Sequence, residues 1–213
     1  MPTFTRDQWG ARPARRGPGF LDPAQVRSVV FHWPAMSRPL RGVEAVKAAL
    51  RAWQDYHMDG HGWSDIAYQE AYDQAGNTYI LRGLTITPGA NGDTAANATN
   101  GALLLILAPG EEPTDEMIAA VRDGVRRHRA LFPRSTAAKG HSEVRPEPTA
   151  CPGPIVMRLL GEGAFEPTPP RPAISPTLRK ITDAIRQARK DGYTELADRL
   201  KRAREAARGR HGQ

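Results

Sequence analysis

Residues 102–108 read ALLLILA and form the longest purely apolar run in this chain of 213 residues. An apolar run without alternation is typical of a central strand that is covered by helices on both faces. The run is much shorter than the roughly 20 residues that a membrane-spanning helix needs. It therefore predicts the middle of a sheet in a domain built around one core.

Two stretches on the N-terminal side of this run predict further strands. Residues 26–33, VRSVVFHW, predict a short buried strand that ends at His32. Residues 66–82, IAYQEAYDQAGNTYILR, contain two β-prone segments around a Gln-Ala-Gly-Asn turn and predict a hairpin. Residues 88–101 are rich in Gly, Asn and Thr, and we expect them to form the loop that leads into the central strand.

Helical patterns separate these strands. Apolar residues spaced by three and four predict an amphipathic helix over residues 43–57. Thr114 predicts the N-cap of a second helix that continues to about residue 131, and a short helix is expected around residues 155–160. This alternation predicts an α/β fold: a mixed central β-sheet flanked by helices, with a short C-terminal α-helical tail.

The C-terminal part of the chain differs from the rest in composition. Residues 166–176 contain five prolines in eleven positions, which predicts a stiff, extended linker. Beyond them, apolar residues spaced by three and four predict one helix, and Thr194 predicts the cap of another. We therefore expect three parts: a compact domain over 1–165, a linker over 166–176 and a helical tail over 177–213.

The net charge of +7 comes entirely from the tail. Residues 1–170 carry 18 basic and 18 acidic side chains, whereas residues 171–213 carry 12 basic and 5 acidic ones. A nucleic-acid-binding domain is more evenly basic, so we expect no nucleic-acid partner. The N-terminal residues contain no apolar segment of the kind that a secretory signal needs, which predicts a protein made in the cytoplasm.

Cys151 is the single cysteine of the chain and lies in GHSEVRPEPTACPG, residues 140–153. A lone cysteine forms no intramolecular disulfide, which leaves three roles open: buried apolar side chain, nucleophile or metal ligand. A hydrolytic zinc site takes three protein ligands and keeps a fourth position for water. His32 at a strand end would suit such a site, together with His141 and Cys151 on either side of a proline-rich loop.

Five segments with chemically distinctive residues follow one another along the chain. They are RDQWGA (6–11), VVFHW (29–33), GWSDIAYQ (62–69), YILRG (79–83) and GHSEVRP…TACPG (140–153). In this order they resemble the motifs of the zinc-dependent N-acetylmuramoyl-L-alanine amidases, a family that includes peptidoglycan recognition proteins and phage lysozyme-type amidases. The resemblance covers residues 4–160, which is most of the expected compact domain.

The resemblance implies one Zn²⁺ per chain, bound by His32, His141 and Cys151. The metal would lower the pKa of its bound water and polarise the scissile amide carbonyl. Tyr68 corresponds to the catalytic tyrosine of the family, whose phenol would hydrogen-bond the water or the developing oxyanion. Thr149 lies where the family has Thr or Lys, and from there it would help to hold the tetrahedral intermediate.

The same resemblance assigns positions around these residues. Glu143 is expected to orient the ligand His141 or to pair with an arginine, rather than to act as a general base. Asn97 matches the usual substrate-facing asparagine of the family. Trp63 is expected to pack within its loop and, with Asn97, to contact the substrate.

Some positions depart from the family pattern or carry no metal signal. The loop between His141 and Cys151 is two residues longer than is common in the family. Asn91 stands where the family often has a histidine, which leaves the details of muropeptide contact open. His57 ends the apolar stripe over 43–57, and we expect a buried, hydrogen-bonded histidine there rather than a ligand.

The resemblance implies hydrolysis of the amide bond between N-acetylmuramic acid and L-alanine in peptidoglycan. We expect a phage endolysin, made without a signal peptide in the host cytoplasm, that reaches the cell wall after a holin opens the membrane. The basic tail would bind anionic cell-wall polymers or the membrane surface. Two alternatives stay open: a cytoplasmic amidase that recycles anhydro-muropeptides, and a non-catalytic module that only binds peptidoglycan. The host, the stem-peptide chemistry and the oligomeric state also stay open.

Overall fold

The computed structural model describes residues 2–16, 19–34, 36–145, 147–167, 176–192 and 194–209. The chain divides into two compact units, Met1–Thr168 and Pro169–Gln213. The proline-rich linker predicted over 166–176 lies mostly outside the described residues. None of the described helices is long and apolar enough to cross a membrane.

One mixed sheet forms the centre of the first unit. As far as this unit is described, its strands are β1 (Thr3–Phe4), β2 (Ser28–His32), β3 (Glu70–Tyr72), β4 (Thr78–Ile80), β5 (Asn100–Leu105) and β6 (Ala137–Gly140). They form a six-stranded sheet in the order β1-β4-β3-β5-β2-β6. β3 and β4 are antiparallel, as the predicted hairpin requires, and the other neighbouring pairs are parallel. The predicted mixed sheet is confirmed.

β5 is the central strand that the ALLLILA run predicts. It begins at Asn100, two residues before the run, and its six residues are all buried. It lies between β3 and β2, and the apolar residues that follow it stay buried as far as Ala108. The unbroken apolar pattern therefore reflects a strand with protein on both faces.

Five helices surround this sheet in the described part of the first unit. They are α1 (Arg6–Trp9), α2 (Val43–Asp55), α3 (Thr94–Thr99), α4 (Asp115–Leu131) and α5 (Pro154–Gly161). α2 continues into a π-helical turn, Tyr56–Gly60. The side chain of Thr114 accepts a hydrogen bond from the Met117 N–H at 3.1 Å, which confirms the predicted start of α4. The predictions of α2 and α5 are also confirmed.

The apolar core has two parts, one on each face of the sheet. Leu103 and Leu105 of β5 pack with residues of α4 and α5, whereas Leu104 packs with Leu50 of α2. Successive residues of a strand point to opposite faces, so the two clusters lie on opposite sides. His32 pairs across from Leu104 and therefore lies on the face that α2 covers.

Two elements beside β2 and β5 differ from the sequence-based expectation. The loop expected over 88–101 contains α3, so that expectation is wrong for its middle. The Asp93 side chain accepts a hydrogen bond from the Ala96 N–H at 2.7 Å, and the alanine-rich sequence TAANAT favours a helix once it is capped. β6 has the sequence AAKG, which carries no β-branched residue and gives no strand signal. It forms a strand because it pairs along β2.

The described residues of the second unit form two helices, α6 (Pro176–Lys190) and α7 (Thr194–Gly209), as predicted. Ile185 and Ala197 are buried between the helices, and Ile181 and Leu200 pack beside them. α6 begins at Pro176, the last position of the expected linker. The side chains of Leu178 and Ala188, which belong to the predicted apolar stripe, lie outside the described residues.

Candidate metal centre

The sheet brings two predicted ligands together at the ends of neighbouring strands. β2 and β6 are parallel, and Phe31 lies opposite Gly140 in their register. His32 is the last residue of β2 and His141 directly follows β6, so the two histidines lie side by side at the carboxyl ends of the strands. Their ring centroids are 4.5 Å apart, and both side chains are buried.

The loop after His141 carries Cys151 back to the same place. The Ser142 N–H donates to the carbonyl oxygen of Cys151 at 2.9 Å, which holds the two ends of the loop together. The Cys151 Sγ lies 3.8 Å from Nδ1 of His32. It also accepts a hydrogen bond from the backbone N–H of Trp33, at an N–S distance of 3.5 Å. One donor atom from each of His32, His141 and Cys151 lies within 4.8 Å of the other two.

Burial sets the protonation state of these three side chains. It lowers the pKa of His32 to about 3, with a smaller contribution from His141, and lowers the pKa of His141 to about 4, with a smaller contribution from Arg145. Both imidazoles are therefore neutral at pH 7 and have a free lone pair. Burial raises the pKa of the Cys151 thiol to about 11, against a small opposing effect of the Trp33 N–H. A free thiolate nucleophile is therefore disfavoured at neutral pH unless a cation stabilises it.

The donor set fits a zinc ion. Two imidazole nitrogens and one thiolate sulfur are ligands that zinc prefers, and three protein ligands leave a fourth position for water or substrate. Nε2 of His141 is buried and has no hydrogen-bond partner among the described residues. A polar ring of this kind at the edge of a donor cluster is consistent with a metal-binding role. Among the described residues, no other group of three or more His, Cys, Asp or Glu side chains is placed to hold a metal ion.

Tyr68 lies beside the cluster. Its ring centroid is 5.3 Å from that of His32, and no described residue forms a hydrogen bond with its hydroxyl. Burial, and to a lesser extent the charge of a Cys151 thiolate, raise the pKa of Tyr68 well above its usual range. The phenol therefore keeps its proton at neutral pH and can act as a hydrogen-bond donor.

Named relatives match about 70% of this chain, although no family model matches it. The N-acetylmuramoyl-L-alanine amidase of Sus scrofa is 29% identical over 159 residues, which cover 73% of this chain and 26% of the pig protein. Peptidoglycan-recognition protein LB of Drosophila melanogaster is 28% identical over 154 residues, which cover 70% of this chain and 63% of the fly protein. The chain is thus similar to N-acetylmuramoyl-L-alanine amidases and peptidoglycan-recognition proteins. It spans about a quarter of the length of the pig amidase.

Solved structures of the peptidoglycan-recognition family have the same fold. Drosophila peptidoglycan recognition protein LB is similar with a TM-score of 0.66 and 21% identity, covering 77% of this chain and 95% of that protein. Peptidoglycan recognition protein LE, solved in complex with tracheal cytotoxin, is similar with a TM-score of 0.68 and 22% identity. The match covers 77% of this chain and 95% of the chain of protein LE. At these identities the likeness concerns the fold alone.

Thr149 and Glu143, two further positions assigned from the family motifs, both brace the loop that carries the ligands. The Thr149 hydroxyl accepts a hydrogen bond from the Cys151 N–H at 3.2 Å. A Glu143 carboxylate oxygen accepts the N–H of Gly140, the residue before His141, at 2.6 Å. The arginine partner considered for Glu143 is absent from the described residues, and the hydrogen bond to Gly140 instead holds the turn that presents His141.

Trp63 and Asn97, expected to contact substrate, line the same open groove of about 400 Å³. Trp63 is 39% exposed and stacks on His57 with centroids 5.1 Å apart. The His57 ring lies 5.9 Å from that of Tyr68, so ring contacts run from the groove to the metal-ligand cluster. His57 Nδ1 accepts the Ala67 N–H at 3.3 Å, which confirms the expected hydrogen bond, but the side chain is half-buried rather than buried.

Asn91 is a residue of this site to which the sequence assigns no role. It is completely buried, and its Oδ1 lies 3.0 Å from Nε2 of His32. The substitution of a family histidine by asparagine is the only signal for it in the sequence, and that signal does not say what the side chain touches. Asn97 supports it, because Oδ1 of Asn97 accepts the Asn91 N–H at 2.9 Å.

Proposed function

We propose that this chain is a zinc-dependent N-acetylmuramoyl-L-alanine amidase, which hydrolyses the amide bond between N-acetylmuramic acid and L-alanine in peptidoglycan. The observation that carries the proposal is the cluster of His32, His141 and Cys151, whose donor atoms lie within 4.8 Å of one another. Tyr68, at the edge of this cluster, supplies the hydrogen-bond donor that amide hydrolysis needs. The amidase and recognition-protein relatives support the choice of peptidoglycan as substrate.

Each residue of the cluster has a defined task in this reaction. His32 and His141 offer neutral imidazole nitrogens, and Cys151 offers a sulfur that ionises on contact with a cation. When bound there, a zinc ion supplies a Lewis acid for the amide carbonyl and lowers the pKa of water towards neutrality. Tyr68 keeps its proton and donates a hydrogen bond to the oxygen on which negative charge develops. Thr149 stands on the same loop as a second hydroxyl for this oxygen.

The groove beside Trp63 and Asn97 is the proposed binding surface for the muropeptide. Arg16 and Arg82 also line it, so its wall combines an aromatic ring with polar and cationic groups. Such a wall suits a ligand with sugar rings, amides and carboxylates. Peptidoglycan recognition protein LE, which shares the fold, was solved with tracheal cytotoxin, a monomeric diaminopimelic acid-type peptidoglycan. This complex supports a muropeptide as the ligand class.

A non-catalytic recognition module is the second candidate function. It differs from an amidase because it needs no metal ion. A module that only binds peptidoglycan has no need of a buried thiol beside two neutral histidines. Zinc content separates the two functions, because an amidase of this kind should purify with one zinc ion per chain. A zinc-free protein that nevertheless binds sacculi would support the recognition module.

We further propose that the enzyme works on the intact cell wall, as an endolysin does. The second unit supports this setting, because 12 basic residues against 5 acidic ones in residues 171–213 suit an anionic surface. An amidase that recycles soluble anhydro-muropeptides has no use for such a surface. Comparing turnover on purified sacculi with turnover on soluble anhydro-muropeptides tests the setting, and a strong preference for the soluble substrate would contradict it.

Digestion of purified sacculi, followed by mass spectrometry of the products, tests the amidase proposal. We expect stem peptides with a free L-alanine amino group, and glycan strands that keep the lactyl carboxylate. His141→Ala should release neither product. Ser142→Ala is the matched control, because it changes the neighbouring exposed side chain and keeps all three donors. Cleavage within the glycan or within the peptide, or intact sacculi after treatment with zinc-loaded protein, would refute the amidase proposal.

A further inference from the structure

A buried asparagine contacts the ring nitrogen of His32 that does not face Cys151. Asn91 is fully buried, and its Oδ1 is 3.0 Å from Nε2 of His32. The other ring nitrogen, Nδ1, is the one that lies 3.8 Å from Sγ of Cys151. One nitrogen of His32 therefore meets a protein amide while the other faces the donor cluster.

The surroundings of Asn91 determine which way its amide points. Its Nδ2 lies 3.3 Å from the carbonyl oxygen of Asn100 and 3.5 Å from that of Ala96. Carbonyl oxygens only accept hydrogen bonds, so the NH₂ group must face them and Oδ1 must face His32. An amide oxygen also only accepts, so Nε2 of His32 carries the proton in this contact. Nδ1 is then the nitrogen with the free lone pair.

We propose that Asn91 is a positioning residue for the metal centre: it fixes His32 in the Nε2–H tautomer and so directs the Nδ1 lone pair at the metal. The proposal rests on the proposed zinc site and deepens it. Neutral imidazole in water populates both tautomers, and binding through Nδ1 selects the form with hydrogen on Nε2. A buried acceptor that holds this form in advance removes part of the cost of metal binding.

Asn91 is itself held in place by its neighbours. Its backbone N–H donates to Oδ1 of Asn97 at 2.9 Å. Nδ2 of Asn100 donates to the carbonyl oxygen of Ala96 at 2.8 Å, the same oxygen that faces the Asn91 amide. These contacts tie the segment before α3 to the start of β5. The acceptor for His32 is thus part of a rigid network rather than a freely rotating side chain.

His141 provides an internal comparison. Its Nε2 is buried without a hydrogen-bond partner among the described residues, so no protein acceptor selects its tautomer. Loss of the Asn91 amide should therefore change the tautomer of His32 and leave that of His141 as it was. A general loss of structure around the cluster would disturb both histidines.

The test measures the tautomer of His32 and the affinity for zinc in separate experiments. Long-range ¹H–¹⁵N spectra of the metal-free full chain, labelled at histidine, report which ring nitrogen carries the proton. A fluorescent chelator that competes for zinc reports the Kd. We expect Asn91→Ala to give mixed His32 tautomers and a zinc Kd raised by about 10- to 100-fold. Asn91→Asp keeps an acceptor oxygen for His32 and should restore the Nε2–H tautomer; its zinc Kd is not compared, because its second oxygen replaces the NH₂ group that faces the carbonyl oxygens of Asn100 and Ala96.

Asn77→Ala is the control for lost stability, because Asn77 is also buried and its side-chain amide donates to the turn residue Asp73, outside the network of Asn91. It should leave the His32 tautomer and the zinc Kd unchanged. An Nδ1–H tautomer in the wild-type protein would overturn the proposal without any variant. Asn91→Ala with an unchanged tautomer and a Kd within about threefold of wild type would overturn it as well. A wild-type protein that shows the Nε2–H tautomer but binds no zinc would refute the zinc amidase and still support tautomer selection by Asn91.

Discussion

His32, His141 and Cys151 reach a metal-binding protonation state in different ways. Burial lowers the pKa of His32 to about 3 and that of His141 to about 4, so neither ring has a proton to lose at pH 7. Burial raises the pKa of Cys151 to about 11, so its thiol must release a proton when a metal binds. Of the three side chains, the cysteine alone therefore releases a proton when a metal binds.

We expect the metal-free protein to release one proton, from the Cys151 thiol, for each zinc ion bound near pH 6, below the range in which zinc-bound water ionises. Around this pH the apparent affinity rises about tenfold for each pH unit, because a single thiol ionises. Calorimetric titration in buffers of different ionisation enthalpy counts the protons.

Cys151→Ser should lose both tight zinc binding and hydrolysis, since a neutral hydroxyl is a poor substitute for a thiolate. Hydrolysis at the wild-type rate by a zinc-free Cys151→Ser protein would contradict the metal assignment.

Tyr68→Phe removes one hydroxyl from the edge of the cluster and keeps the ring. We expect unchanged zinc content and stability, with turnover lowered on the order of 100-fold if the phenol stabilises the oxyanion. Thr149→Ala should lower turnover less, because the Thr149 hydroxyl already accepts the Cys151 N–H. Steady-state kinetics on a soluble muropeptide measures both variants. Wild-type turnover in zinc-loaded Tyr68→Phe would leave Tyr68 with a packing role only.

At the scale of elements, α4 packs unusually close to the sheet. A Cβ atom added at Gly124 would overlap the hydroxyl of Tyr72 on β3. That hydroxyl donates to a carboxylate oxygen of Glu70 at 2.5 Å, and Arg127 of α4 pairs with the same carboxylate. Helix and strand are thus joined by a buried polar network as well as by apolar contact, and a glycine makes the approach possible.

We expect Gly124→Ala to lower the free energy of unfolding by about 1–3 kcal/mol, because the added methyl group must displace a buried tyrosine. Gly161→Ala is the matched control, since Gly161 lies in α5 and an added Cβ meets nothing within 4 Å. That change should be neutral or stabilise by up to about 1 kcal/mol. Urea denaturation measures both variants. Equal stabilities of the two variants would contradict the close packing at Gly124.

His128, also on α4, makes the stability of the fold depend on pH. It is completely buried, neither ring nitrogen has a hydrogen-bond partner among the described residues, and a Cβ at Gly101 of β5 would overlap its ring. Burial, with a smaller effect of Arg129, lowers the pKa of His128 to about 4. The unfolded chain binds a proton near pH 6.5 and the folded chain only near pH 4. Stability is therefore complete above pH 6.5 and falls as the pH drops towards 4.

The free energy of unfolding should fall between pH 7.5 and pH 4.5 in both proteins. We expect this fall to be about 2 kcal/mol smaller in His128→Leu than in wild type, because the variant has no proton to take up at this position. Urea denaturation at the two pH values measures the difference. The two proteins differ at this one position, so comparison of variant and wild type isolates His128. Parallel losses in the two proteins would show that His128 does not carry the acid sensitivity.

At the scale of the whole molecule, the chemistry and the charge lie in different units. The cluster and its groove belong to Met1–Thr168, whereas the excess of basic residues belongs to the second unit. Among the described side chains of α6 and α7, Ile185 and Ala197 are the buried apolar ones. The high positive charge of this unit suits binding to a surface of opposite charge.

We expect truncation after Glu166 to leave zinc binding and turnover of soluble muropeptides unchanged. Sedimentation with purified sacculi should fall and lose most of its dependence on salt.

The matched full-length variant replaces Arg186, Arg189 and Lys190, which lie together on α6, by glutamine and keeps both helices. It should show part of the same loss. Unchanged sedimentation of the truncated protein at low salt would exclude the tail as an anchor. Loss of turnover on soluble substrate would instead make the tail part of the catalytic unit.

The α/β class, the central strand and the start of α4 could be predicted from the sequence. These features depend on local patterns: an unbroken apolar run for β5, and a Thr114 side chain that caps its own helix. Five ordered motifs also named the three residues that meet at the cluster, because ligand chemistry restricts the residue types. α3 and β6 escaped prediction, since a short capped alanine segment and an edge strand such as AAKG carry weak local preferences.

Which of these residues are in contact depends on the packing of the whole chain. Cys151 lies 119 positions from His32 in the chain, and their contact depends on β6 pairing beside β2 and on the loop that returns from it. The same holds for Asn91, whose amide direction follows from carbonyl oxygens on α3 and β5. Local sequence patterns report the preference of one segment at a time. The neighbours of a strand, and the acceptors around a buried amide, are chosen by the free energy of the whole packed chain.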